Sequence, residues 1–287
     1  MSRHVATILL LAGLIGYGAV IVPFAGYMRA KPVEEKLGYV PSVKVLKSLS
    51  VDQKEVAGAA LVFKVLMYYG TLMGDLPKGA IVNGPGDLPG MSRLLHAAVQ
   101  LDPYNMDAYY FAQGILTWDA HQYQVANNLL DYGMKYRTWD WFLPFFAGFN
   151  SAYFLKDYKK AAHYYDLAGD LSGEPLYKSL ASRYMQESGE TDLAIAYLGG
   201  MVKTAKNEAV KKSYQLRLSA FQEVRRIEQA RDRFRADKGS LPISVEQLVQ
   251  SGYLKSVPVD PYGGSFYLGP DGKVATTSKF ALGVTKK

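Results

Sequence analysis

Cysteine is missing altogether from the 287 residues, and its absence removes disulfides, thiolate metal sites, thioether-linked haem and lipid attachment at a cysteine together. Histidine is scarce. The four, at positions 4, 96, 121 and 163, form no His-x-x-x-His pair and have no glutamate at zinc-protease spacing, so no metal ligand is named. His163, between an alanine and a tyrosine on a packed helix, reads as an interior or edge residue. No Gly-x-Ser-x-Gly elbow occurs. The stretch Gly84 to Gly90 precedes a helix but lacks both the Walker lysine and the dinucleotide pattern, and Pro85 and Pro89 remove amides that a phosphate would need. Carboxylates such as Asp87 and Asp102 form no pair with an argued geometry. The expectation is a chain with no catalytic residue, no metal, no cofactor and no small-molecule substrate. The alternative is an envelope enzyme accessory or glycan-active enzyme whose carboxylate site carries no recognisable spacing.

Charge is missing from one segment in particular: Val5 to Met28 holds none. At about 1.5 Å rise per residue such a helix covers the roughly 30 Å hydrocarbon core of a bilayer. Residues 1–30 therefore read as an uncleaved transmembrane anchor. A cleavable signal is the rival, but its apolar run is shorter and Met28-Arg29-Ala30 is a poor cleavage site. Arg3 precedes the span while Arg29, Lys31 and Lys36 follow it, which by the positive-inside rule favours a cytoplasmic bulk. A long folded domain after a first hydrophobic segment is translocated largely regardless of charge, so the expected location is the inner membrane, single-pass, with the bulk in the periplasm.

What is abundant is apolar and aromatic. Hydrophobic residues make up 49% and aromatics 13%, with 22 tyrosines against 12 phenylalanines. That is enough to fold, and tyrosine suits helices half buried against neighbours. The formal charge of +7 is concentrated: Lys203 to Lys238 carries eleven Lys or Arg against five acids, a net of +6. The overlapping stretch 209–239 is expected to be a long basic capping helix, with Val210, Tyr214, Leu218, Phe221, Val224, Ile227, Ala230 and Phe234 along one face. Its charge reads as a solvated outer face. Nucleic-acid binding is not expected of an exported protein.

Before it, Pro32 and Pro41 mark 31–50 as a linker. Ser50 with Gln53 forms a capping box, and Val56, Ala59, Ala60, Phe63, Met67 and Gly70 mark one face of a helix reaching Gly74. Asp75 to Gly90 is loop, by its three prolines and four glycines. From Met91 the sequence repeats. Tyr123, Ala126, Leu130 and Gly133 recur as Tyr158, Ala161, Tyr165 and Ala168, then as Thr191, Ala194, Leu198 and Met201, at offsets of 35 and 33 residues.

Those offsets, with Tyr110 and Phe145 as aromatics at position 4, Gly114 and Ser182 as small residues at position 8, and the junction Leu101-Asp102-Pro103-Tyr104-Asn105, resemble the tetratricopeptide repeat (TPR) family. Phe149 stands at position 8 of the middle unit, and Lys178 takes the third unit's aromatic position. The resemblance implies a mainly α fold: an N-terminal transmembrane helix, a short TPR-like α-solenoid of about three to four helical hairpins over 51–208, a long capping helix and a small C-terminal β-hairpin. An unrelated helical bundle is the other architecture. The resemblance also implies a groove for a peptide or helix of a protein partner, lined by Ala108, Phe111, Ile115, Trp118, Leu143, Phe146, Asn150, Tyr153, Leu176, Ser179, Arg183 and Gln186. Phe111, Ile115, Trp118, Phe146, Asn150, Tyr153 and Arg183 are its candidate contact residues.

The tail, 240–287, begins with Ser244 and Gln247 capping a short helix, and Phe266 to Leu268, Pro270-Asp271-Gly272 and Val274 to Thr277 read as a hairpin. FRADKGSLP at 234–242, QLVQSGYL at 247–254 and PVDPYGG at 258–264 resemble the C-terminal segment of type II secretion major pseudopilins. The pilin N-terminus is absent, and no carboxylate side chain follows Asp271 to build that family's calcium loop. Repeat, tether and tail together point to a non-catalytic scaffold in an envelope assembly: secretion, pilus or surface-polymer export.

Overall fold

A computed structural model describes residues 3–32, 35, 37–73 and 86–278. The expected loop over 75–90 therefore lies largely outside the described residues, as does the end of the tail from 279. The chain divides into two compact units, 1–122 and 123–287.

In the first unit, α1 (Arg3–Ala30) is an exposed apolar helix, long and apolar enough to cross a membrane over Val5–Ala30. The expected linker is in part helical: α2 (Val43–Ser50) starts at Ser42, whose hydroxyl accepts from the Val45 amide. Ser50 does not cap the next helix. Its Oγ instead donates to the Leu46 carbonyl, the back-bond a helical serine makes to the residue four before it.

The helix α3 (Lys54–Met73) packs on α4 (Leu88–Leu101), and it does so by the face opposite to the expected one. Gly58, Val62, Val65, Tyr68 and Leu72 are buried, while Val56, Ala59, Ala60, Phe63, Met67 and Gly70 are exposed. Periodicity could not choose between them, since both faces are apolar. Gly58 sets the approach: a Cβ there would stand 3.2 Å from the Ala98 carbonyl oxygen. Next, α5 (Met106–Gly114), capped by Asn105, runs into a π-helical turn at Ile115–Asp119.

The second unit is a row of helices, each packed on the next: α6 (Tyr123–Met134), α7 (Phe142–Tyr153), α8 (Tyr158–Ser172), α9 (Pro175–Glu187), α10 (Thr191–Thr204) and α11 (Glu208–Lys238). Ala126, Ala161 and Ala194 are fully buried, and each is the fourth residue of its helix, α6, α8 or α10. A methyl at that point lets the neighbouring backbone come close. The close approach on α7 falls at Gly148, whose Cβ would lie 3.2 Å from the Tyr165 ring, and not at Phe149. One face of α11 is buried through Tyr214, Phe221, Val224, Ile227, Ala230 and Phe234, and Gly239 closes the helix at φ +73°.

The tail folds back on α11. Ser244 caps α12 (Val245–Gln250), with Gln247 Oε1 accepting from the Ile243 amide. Strand β1 (Phe266–Leu268) pairs antiparallel with β2 (Val274–Thr276), Phe266 opposite Thr276. Phe234, Val245, Leu248, Leu254, Phe266 and Val274 share one core. Arg231 donates to the Gly272 carbonyl at 2.8 Å. Buried Asp260 accepts from the Tyr262 amide at 2.9 Å and from the Thr276 hydroxyl, so the Asp-Pro-Tyr-Gly string ties the turn to β2.

Candidate functional site

The seven candidate contact residues fall in two sets, one in each unit. In the first unit Phe111 is half-buried, its ring edge-on to Tyr69 with centroids 5.6 Å apart. The Tyr69 hydroxyl donates to the Asp119 carboxylate at 3.2 Å, and burial raises the pKa of both groups above their ordinary values. Trp118 stands exposed on the π turn, whereas Ile115 is interior. The widened turn re-aims the side chains that follow it, which a regular 3.6-residue register does not foresee.

In the second unit the aromatic side chains concentrate on α7. Asp140 starts that helix by accepting from the Phe142 amide, and it is held by an ion pair to Arg137 at 2.9 Å. Phe142, Phe146, Phe149 and Tyr153 follow at helical spacing. Phe142 and Phe146 have centroids 5.9 Å apart, and Phe149 and Tyr153 lie stacked at 5.5 Å. Three of these rings are half-buried and Tyr153 is 59% exposed, with the Lys156 ammonium 5.3 Å over it. Trp139, just before the helix, is 60% exposed under the Arg137 guanidinium.

Asn150 is not on this surface. It is fully buried and donates to Asn127 Oδ1 at 3.1 Å, while Asn127 Nδ2 donates to the Ala147 carbonyl at 3.2 Å and to Ser151 Oγ at 3.0 Å. This amide network fixes α7 on α6 and so holds the aromatic stripe outward. Of the wider lining set, Ala108, Leu143 and Gln186 are also buried, while Leu176 is exposed and Ser179 half-buried.

Arg183 on α9 is half-buried, its guanidinium 5.5 Å from the Tyr184 ring. Glu187, one turn on, has its pKa raised by burial, against the pull of Arg183 and Lys273. Among the described residues no three His, Asp or Glu side chains are grouped to hold a metal.

Sequence reasoning missed Trp139, whose only signal was its place in a dense aromatic run, and the pair Tyr69 and Asp119, fifty residues apart with no shared motif. Compared with known proteins, the chain matches no family model and no curated protein.

Proposed function

We propose that this chain is a non-catalytic, membrane-anchored scaffold of TPR-like hairpins whose aromatic surface on α7 binds a helical or extended segment of a partner protein. The observation that carries it is the stripe Phe142, Phe146, Phe149 and Tyr153, four rings in a row on a helix pinned from behind by Asn127 and Asn150. Rigid aromatic rings lose little conformational entropy on binding and dominate interface energetics. The equivalent burial of Ala126, Ala161 and Ala194 supports the repeat, and the exposed apolar α1 supports the anchor. The pseudopilin-like strings of the tail support an envelope assembly, with the bulk of the chain in the periplasm.

The test is site-specific photocrosslinking in intact membranes from position 139, exposed just before α7, with the captured peptide identified by mass spectrometry. Phe146→Ala with Tyr153→Ala is expected to weaken capture about 30-fold, the effect of losing roughly 2 kcal/mol at a hot spot. Equal capture by the double variant, folded as judged by its thermal transition, rules the surface out.

A further inference from the structure

The helix α3 is apolar round its whole circumference, and only one side of it is accounted for. Gly58, Val62, Val65, Tyr68 and Leu72 pack toward α4. On the opposite side Val56 is 63% exposed, Phe63 62% and Met67 58%, with Leu66, Ala59, Ala60 and Gly70 beside them. Between Val56 and Leu72 the only charge is Lys64, on the flank of this stripe. A helix of such composition is normally enclosed by protein or by lipid.

The preceding elements add to the same kind of surface. Val45 and Leu49, one turn apart on α2, and Val51 in the corner before α3 are all exposed. Around these apolar groups stand four exposed lysines, Lys44, Lys47, Lys54 and Lys64, against two acids, Asp52 and Glu55. Apolar side chains rimmed by lysines are what an interfacial helix presents, its stems lying along the acyl boundary and its ammonium groups reaching anionic headgroups. Twelve residues separate the end of α1 at Ala30 from the start of α2 at Val43. Even fully extended, the thirteen steps from Ala30 to Val43 reach no more than about 47 Å, so α2 starts within that distance of the end of the span.

We propose that α2 and the outer face of α3 form a second membrane contact, lying in the plane of the bilayer surface and bound to anionic lipid. This rests on the reading of α1 as a membrane anchor. With α2 and α3 seated, the bilayer is held at a second place besides α1.

The absence of native cysteine makes the test direct. The full-length chain carries a single nitroxide at Phe63→Cys, Met67→Cys, Ile15→Cys or, on exposed Gln100 of α4, Gln100→Cys, and is reconstituted into vesicles of phosphatidylcholine with phosphatidylglycerol. Oxygen and a water-soluble nickel chelate are the two relaxants. At 63 and 67 the ratio of oxygen to nickel accessibility is expected to exceed that at 100 several-fold, to stay below that at 15, and to fall when Lys44→Glu and Lys47→Glu are added. A water-like ratio at 63 and 67 with a lipid-like ratio at 15 overturns the second contact and leaves the anchor standing. A water-like ratio at 15 overturns the anchor and the inference with it. Low accessibility to both relaxants at 63, or spin–spin broadening between copies there, means that protein covers the face, and that too overturns it.

Discussion

The side chain of Lys178 lies across the Cα of Gly169: a Cβ built at Gly169 would stand 2.8 Å from Lys178 Cδ and 2.9 Å from Cγ. Beyond that crossing the ammonium donates to Asp166 Oδ1 and to Asp170 Oδ1, each at 2.6 Å. Asp166 also accepts from the Tyr197 hydroxyl at 2.6 Å, so one carboxylate joins α8, α9 and α10. In the proposed repeat register Lys178 stands where the two earlier hairpins carry Tyr110 and Phe145. Its methylene stem does the packing an aromatic would do, and its head adds the ion pairs.

A methyl at Gly169 is therefore expected to destabilise the chain even though it favours the helix. Gly to Ala in a helix interior gains roughly 0.5 to 1 kcal/mol. Displacing the lysine from two aspartates loses more, since hydrogen bonds to charged groups contribute about 1.5 to 3 kcal/mol each. Gly169→Ala should lower stability by about 1 kcal/mol in the native background and raise it by about 0.5 kcal/mol beside Lys178→Ala. Urea unfolding of the four members of this cycle in detergent measures the reversal. Additive effects would mean that the crossing has no energetic consequence.

That pair also marks how far the sequence was legible. Apart from α2, which lies in the expected linker, the helices, the small hairpin and the buried alanines follow from local signals: a periodic apolar face, a capping residue, a glycine beyond the last turn. What the sequence did not settle were choices between equivalent local options. On α3 either face was apolar enough to be the core, and burial went to the one carrying Gly58, which admits a backbone carbonyl. On α7 a regular register put Asn150 in the expected groove, because spacing says nothing about whether Asn127 waits on the neighbouring helix. At Ile115 the π turn broke the register itself. Each miss needed a partner from elsewhere in the chain, or a turn wider than the regular helix.

Asn150 thus has a structural task distinct from that of Tyr153, only three residues away. Asn150→Ala leaves Asn127 Oδ1 without its buried donor and should cost about 1 to 3 kcal/mol of stability. Tyr153, 59% exposed, should be replaceable by alanine within about 0.5 kcal/mol. Thermal denaturation of the two single variants separates the roles. Comparable losses from both would place the Tyr153 ring in the structural core of α7.

Two carboxyl groups give the second unit a pH dependence of defined sign. Burial raises the Glu228 pKa against the hydrogen bond from Thr191 and the charges of Arg231 and Arg225, with Asp232 adding to the rise. Burial raises Glu187 too, against Arg183 and Lys273. In the unfolded chain a glutamate titrates near about 4.3. Between that value and the raised native ones the folded protein holds protons the unfolded chain has released, so stability falls as pH rises through this window. The desolvation cost is fully present at neutral pH and absent below the unfolded value. Glu246 acts in the opposite sense: hydrogen bonds from its own amide and from Ser244 lower its pKa, so its contribution disappears as the solution becomes more acid. Glu187→Gln with Glu228→Gln should therefore flatten the decline between about pH 4.3 and neutrality and leave the acid-side loss in place. Urea midpoints taken across that range check it. A native profile that rises toward neutral pH, unchanged in the double variant, would mean that water reaches both carboxylates.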